Sequence, residues 1–306
     1  MMDLDKEDIS KKTFEPNSGV LYVIGTPIGN LGDLSPRAKH LLSNVSVIAC
    51  EDTRHSGQLL KKFKIKGKLV SFHKHNTKLR IPKLIKELDA GESLGLISDA
   101  GLPGISDPGE ELVLATRQAG HDVICIPGPC AAITALVSSG LPSQRFCFEG
   151  FLPYKQKDRS LILQSIAKEK RTTIIYESPH RLLKLLKELY DLCGTNRPLQ
   201  VARELTKKYE EQIGPTLGNA LEHFTNNQPK GEFTLVLGGK PNSEELKKKN
   251  NVELQEEMKR LLDKGLSLKN ASRELAKKTG YSKNFLYSLI PQKIKKNDDS
   301  QTRTAK

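Results

Sequence analysis

No segment of the 306-residue chain approaches the roughly 18 consecutive apolar residues that a membrane span requires. The opening MMDLDKEDISKKTFEP mixes both charges where a signal peptide would have an apolar core. A cytoplasmic protein with no membrane partner is therefore expected. The five cysteines (Cys50, Cys125, Cys130, Cys147 and Cys193) contain no C-x-x-C spacing, and most sit among apolar neighbours. This predicts reduced core thiols and excludes both a zinc knuckle and a disulfide framework. No constellation of metal ligands is visible, and no internal repeat. The first glycine-rich loop, GTPIGN at 25–30, lacks both G-x-G-x-x-G and G-K-[ST], so the two common phosphate cradles are weak readings.

What is present begins with length and charge. A chain of this size, 37% hydrophobic, is long enough for two packed α/β domains and an appendage. Its formal charge is +13, and residues 241–306 hold 16 Lys and Arg against 9 Asp and Glu, which is +7 of that total. A polyanionic partner is the leading expectation from such a balance, although lysines also serve solubility. Apolar runs of strand length occur at 20–25, 45–50, 93–98, 122–127, 145–150, 172–177, 199–204 and 231–239. Helix-like stretches with apolar residues three and four apart separate most of them, for example PRAKHLLS, EELVLATRQAG and HRLLKLLKELY. The alternation predicts mostly parallel sheets covered by helices. The expected division is a flexible N-terminus (1–18), two α/β domains (19–126 and 127–240), a helical module (241–290) and a disordered tail (291–306).

Three helix starts share one device. SPR at 35–37, DPGE at 107–110 and SPHR at 178–181 each place Ser or Asp before Pro, the arrangement of an N-cap followed by a first helical residue. Asp107 and Glu110 also have capping-box spacing. The loops GTPIGNLGDLS, SDAGLPGIS and YES are then expected to face one crevice at the carboxyl ends of parallel strands. Asp99 in that crevice would repel phosphate but suit an ammonium, a sulfonium or a ribose diol. Gly101 and Gly104 would let backbone approach a ligand closely, with Pro103 and Ile105 as apolar walls.

Seven motifs occur in order: GTPIGNLGDLSPRA (25–38), EDTRHSGQLL (51–60), FHKHN (72–76), SDAGLPGISDPG (98–109), PGPCAAITAL (127–136), YESPHRL (176–182) and ARELTKKYEE (202–211). Together they resemble the 16S ribosomal RNA 2′-O-methyltransferases that modify a cytidine in the decoding centre, members of the tetrapyrrole-methylase (class III methyltransferase) fold. The likeness spans about residues 19–239. It implies two α/β domains with S-adenosylmethionine in the cleft between them, a homodimer, and 16S rRNA in the small ribosomal subunit as partner, not DNA. It also implies that Gly25, Pro27, Ile28, Gly29, Asp99, Ala100, Gly101, Pro103, Ile105, Cys130, Ala131, Glu177 and Thr206 line the cofactor.

For the transfer itself the candidate groups are the Asp52, Arg54 and His55 cluster, His73 and His75, Glu177 with His180 and Arg181, and Arg203 with Glu204. Arg54 and Arg203 are expected to hold phosphates or the developing oxyanion, with Glu177 or Glu204 near the hydroxyl. Arg54, His73 and Arg181 are expected RNA contacts. Two other readings compete: a methyltransferase of the same fold acting on a tetrapyrrole or a protein side chain, and a non-catalytic RNA-binding assembly factor. The basic balance counts against the first and the intact cofactor loops against the second.

After Pro241 three short helices are predicted: LQEEMKRLLDKG, LKNASRELAKKTG and SKNFLYSLI. The last two have helix-turn-helix proportions and resemble the module appended to many members of this family. Lys277, Lys278 and Lys283 near the turn are candidate contacts to an RNA backbone, and a solvated lysine face is the alternative.

Overall fold

The computed structural model describes residues 19–241, 243–279 and 281–290, without the side chains of residues 243–250, 277 and 278. The expected flexible start and disordered tail fall outside the described residues. Two compact units divide the chain, one ending at Lys240 and the other beginning at Pro241.

The first sheet of the larger unit contains β1 (Val20–Ile24), β2 (Val47–Cys50), β3 (Leu69–Ser71), β4 (Leu94–Ile97) and β5 (Asp122–Ile126), in the order β3-β2-β4-β1-β5. Every neighbouring pair is parallel. All residues of β1, β2 and β4 are buried, as near-continuous apolar runs require when helices cover both faces. Val20, Tyr22 and Ile24 pack on one face with Ala38, Leu41 and Leu42 of α1 (Pro36–Asn44) and Leu60 of α2 (Thr53–Lys62). Leu21 and Val23 point the other way, to Leu84 and Leu88 of α3 (Thr77–Asp89) and Leu112 of α4 (Glu110–Gln118). Helix α1 starts as its sequence predicts, with Pro36 in the first turn and Ser35 Oγ accepting from Ala38 N.

Strands β1 and β4 are neighbours whose connections run to opposite sides of the sheet, toward β2 and β5 respectively. Their carboxyl ends thus form the topological switch point at which open parallel sheets bind ligands.

The second sheet, β6-β7-β10-β8-β9, contains β6 (Phe146–Phe151), β7 (Thr172–Glu177), β8 (Leu199–Arg203), β9 (Glu211–Ile213) and β10 (Phe233–Leu237). Here the expectation of a mostly parallel sheet fails. Only β6 and β7 are parallel; the other three pairings are antiparallel. An apolar run reports that a strand is covered on both faces and carries no sign of direction, which explains the error. β10 is covered in this way. The helix α5 (Ala131–Ser138) packs Ala132, Ala135 and Leu136 against Ile174, Ala202 and Val236, while α6 (Gln156–Lys168), α7 (Pro179–Cys193) and α8 (Leu217–Asn226) cover the opposite face around Leu235. The sequence pattern also passed over β3 and β9, three residues each and both at sheet edges, where short and polar strands are the rule.

The smaller unit holds α9 (Ser243–Asp263), α10 (Leu268–Thr279) and α11 (Lys283–Ser288) around Leu254, Met258, Ala271, Leu275 and Leu286. Helix α9 starts well before the predicted Leu254. Ser282 caps α11 by accepting from Phe285 N. No helix among the described residues is long and apolar enough to cross a membrane.

The loops that leave β1 and β5 touch backbone to backbone. A Cβ on Gly128 would stand 2.8 Å from Gly25 Cα, with no flexible side chain to give way. Gly128→Ala should therefore lower the stability of the larger unit by about 1–3 kcal/mol, the range for overpacked interiors. Urea denaturation measures this against Gly57→Ala, a helical glycine with only ordinary contact at 3.6 Å, which should leave stability unchanged or raised.

Candidate active site

Loops from both sheets enclose a cavity of about 450 Å3 at the carboxyl ends of β1 and β4. The two strand ends are tied by backbone. Thr26 N donates to Gly101 O at 2.9 Å, Gly101 N donates to Thr26 O at 3.1 Å, and the buried Thr26 hydroxyl reaches Ser98 O. Gly101 takes φ +82°, and a side chain there would press on Ile28 at 3.3 Å and on Pro129 O at 3.4 Å. The wall beside Asp99 is therefore bare backbone. Asp99 Oδ1 accepts from Asp52 N at 3.2 Å, and the residue lines the cavity.

Beyond Gly101 the chain adopts left-handed backbone repeatedly, at Gly104 (φ +84°), Ser106 (φ +66°) and Gly109 (φ +155°). Ser106 is the costly one, since a β-carbon disfavours that region and such strain gathers at functional sites. Opposite it, Gly150 at a bulge in β6 leaves room: a Cβ there would lie 2.9 Å from Ser106 Oγ. The expected cap at Asp107 does not form. Helix α4 is preceded by Gly109 with no side-chain cap, and its first turn instead carries Glu110 and Glu111, which suit the positive end of the helix dipole. Asp107 turns into the cavity. Ser178 likewise precedes Pro179 as expected, but its side chain caps nothing.

Acidic groups converge on this space. Burial pushes the Asp107 carboxyl up to about 6, with a hydrogen bond from Ser98 opposing and repulsion from Glu51 and Asp99 adding. Glu51 is also raised, by burial and then by Asp99, while Lys74 and His73 pull it down, which places those two near the rim. Glu177, at the end of β7, has a fully buried side chain. Its Oε1 accepts from Ser178 N, and Arg159 and Arg181 approach at 3.6 and 3.4 Å. Its Oε2 has no hydrogen-bond partner within the chain. Arg159, itself buried on α6, also pairs with Glu188 at 2.8 Å. Tyr176 OH accepts from Ala132 N at the start of α5, supplying the cap that Cys130 does not.

Of the residues expected around a cofactor, Ile28, Asp99, Ala100, Gly101, Ile105, Cys130, Ala131 and Glu177 line the cavity. Gly25, Pro27, Gly29, Pro103 and Thr206 do not line it. Pro27 and Pro103 are buried, the exposed Gly29 lies against the side chains of Thr206 and Lys207, and Thr206 Oγ1 accepts from Asn30 N at 3.1 Å. Glu204 and Thr206, both left-handed, flank Leu205 and hold it in the wall. Glu204 itself is committed to Lys207 at 3.0 Å and to Glu232 N. Arg203 donates to Lys230 O and pairs with Glu211, and Arg181 donates to Leu152 O while lying over the Tyr154 ring. Neither guanidinium faces the cavity, so both serve the framework first. Arg54 projects into solvent, its side chain 88% exposed and paired with Asp52. Lys283 is partly exposed on α11, and the Lys277 and Lys278 side chains lie outside the described residues. Sequence reasoning passed over Glu51, Asp107 and Tyr176 as site residues, although all three stand inside quoted motifs. It also passed over Leu205, Phe233 and Thr234, whose apolar context reads as core. Among the described residues no group of His, Cys, Asp and Glu is placed to hold a metal ion.

The model of the tetrapyrrole (corrin/porphyrin) methylases matches residues 20–221. The ribosomal RNA small subunit methyltransferase I of Synechocystis is 49% identical over 271 residues, covering 89% of this chain and 97% of its own length. That of Haemophilus influenzae is 45% identical, covering 89% and 96%. The chain belongs to the tetrapyrrole methylases, in their ribosomal RNA small subunit methyltransferase I branch. A member with a solved structure, uroporphyrin-III C-methyltransferase from Thermus thermophilus in complex with S-adenosylhomocysteine, shares the fold at TM-score 0.50 and 21% identity, over 72% of this chain and 96% of its own.

For a tetrapyrrole methylase the cavity has fitting chemistry. S-adenosylmethionine combines a sulfonium cation, a ribose diol and a flat base. The cavity offers the Asp99 carboxylate, the bare backbone at Gly101, the Glu177 Oε2 that accepts no hydrogen bond within the chain, and apolar walls from Ile28, Leu205 and Phe233. Its size lies within the range of small-molecule sites.

Because Glu177 is buried between two guanidiniums, removing the deeper one leaves a buried carboxylate partly uncompensated. Arg159→Met should cost about 3 kcal/mol of stability by urea denaturation, as loss of one partner of a buried ion pair does.

Proposed function

We propose that the protein transfers a methyl group from S-adenosylmethionine to the ribose 2′ oxygen of a cytidine in the 16S RNA of the small ribosomal subunit. The observation that carries this reading is the acid-lined, partly apolar cavity at the β1–β4 switch point, in a chain 49% identical to a ribosomal RNA small subunit methyltransferase I. S-adenosylmethionine supplies there an activated methyl carbon on a positively charged sulfur. The chain's residues do the remaining work. Asp99 and the bare Gly101 turn hold and orient the cofactor, with Ile28, Ala100, Ile105, Cys130 and Ala131 completing its wall. Leu205 and Phe233 exclude water, which strengthens every charge interaction inside. The acids at 51, 99, 107 and 177 favour a cation and repel phosphates, so only the sugar edge of the substrate is drawn inward while its backbone stays at the rim.

At the rim His73 and Lys74, with the exposed Arg54, meet that backbone. The smaller basic unit, with Lys283 on its surface, adds affinity of the salt-dependent kind. A homodimer and action on ribosomal subunits in the cytoplasm belong to the same reading.

Labelled S-adenosylmethionine incubated with the protein and small ribosomal subunits should place label on ribose; label on a base, or none on the RNA, would overturn the reading. Asp99→Ala should weaken S-adenosylmethionine binding at least tenfold by calorimetry while the fold survives. Deleting residues 241–306 should lower affinity for the subunit and make its salt dependence shallower, while leaving cofactor affinity within about twofold; equal subunit affinity would remove the smaller unit from RNA contact.

A further inference from the structure

We propose that Asp107 accepts the proton of the sugar hydroxyl as the methyl group arrives, an assignment that rests on the ribose-methylating reading of the cavity. A sequence that spells a helix cap instead places this carboxyl in the cavity, turned there by Gly109 and by the left-handed Ser106, whose own side chain sits against the side-chain-free Gly150 of the second sheet. A strained residue that displaces a cap needs a compensating use elsewhere.

Three of the other carboxyls of the cavity are engaged by the chain, and the fourth, Glu51, stands at the end of β2 near Lys74 and His73. Glu177 is held by Arg159, Arg181 and Ser178 N, Asp99 accepts from Asp52 N, and Glu232 pairs with Lys207 at 2.8 Å. The groups facing Asp107 are Ser98 and Asp99 from the end of β4, Glu51 from the end of β2, Lys74 from the loop after β3, and Tyr176 from β7. Ser98 supplies a hydroxyl, and Lys74, the sole cation among them, exerts the smallest influence. Burial and two acidic neighbours thus make Asp107 a stronger base than an ordinary carboxylate, raised to about 6, yet one that is mostly ionised near neutral pH.

In the step, the 2′ hydroxyl loses its proton to an Asp107 oxygen. The oxygen's electron pair forms the new bond to the methyl carbon. The carbon–sulfur bond breaks with its pair left on sulfur, giving the methyl ether, S-adenosylhomocysteine and a neutral Asp107 carboxyl. Water then takes the proton.

The test compares wild type with Asp107→Asn and Asp107→Glu, using small ribosomal subunits and S-adenosylmethionine at saturation. Wild-type kcat should rise with pH through a midpoint near 6 and level off. Asp107→Asn should lose that limb and about 100-fold in kcat, within the range for a positioned base, with S-adenosylmethionine affinity by calorimetry within threefold. Asp107→Glu should recover part of the rate. A second readout needs neither cofactor nor RNA. The folded carboxyl binds its proton more tightly than the unfolded one, whose pKa is ~3.9, so its stabilising contribution is present below about pH 4 and lost as pH rises through about 6. Asp107→Asn should then resist urea better than wild type at pH 7.5 and no better at pH 4. Unchanged kcat and pH profile in Asp107→Asn, or a loss confined to cofactor affinity, overturns the assignment while wild type still labels ribose. Failure of wild type to label ribose strikes the underlying reading instead.

Discussion

The backbone tie between Thr26 and Gly101 governs the site, because it closes the carboxyl ends of two neighbouring parallel strands into one surface. Once those two loops are hydrogen-bonded to each other, Asp99 is held between them and the Gly101 turn faces the cavity without a side chain. The contact of Gly25 with Gly128 adds the loop after β5 to the same cluster. Three loops of the first sheet thus form one rigid wall. Rigid walls matter in transfer chemistry, since placing reacting atoms within a few tenths of an ångström contributes several kcal/mol to the rate.

The second sheet closes this wall from the opposite side, and strained loops from both sheets hold the closure. Ser106, Glu204 and Thr206 all occupy left-handed backbone although none is glycine. Each puts a neighbour where regular structure would not: Asp107 into the cavity, Leu205 into its wall, and Thr206 against Asn30 of the first sheet. The buried cores beneath both sheets supply the stability that keeps these positions populated. Arg159 does the equivalent work with charge, since it allows Glu177 to stay buried at the cavity edge.

The electrostatics operate at two ranges. Over the whole chain the balance is strongly basic, which draws a polyanion toward the protein. Inside the cavity the sign reverses, with Glu51, Asp99, Asp107 and Glu177 gathered in a small volume. A phosphate is attracted to the molecule but not into this space, whereas a cation is welcome there. Burial first, and then the mutual repulsion of the acids, raises the carboxyls of Glu51 and Asp107.

Much of this was legible in the residues alone. The buried strands of the first sheet read as unbroken apolar runs, the caps at Ser35 and the prolines after it follow from local rules, and the glycine loops pointed to a crevice with Asp99 in it. These features are local, so neighbouring residues suffice to specify them. The reversed direction of β10 was not legible, because covered strands look alike whichever way they run. Nor was the turn of Asp107 away from its helix, which depends on space left by Gly150 in another sheet. The pairing of Arg159 on α6 with Glu177 at the end of β7 likewise joins residues that spacing does not relate. Local composition determined the elements and the loops of this protein; the strand order of the first sheet and the contact between the two sheets decided which acids meet in the cavity, because burial and charge proximity are properties of the packed chain.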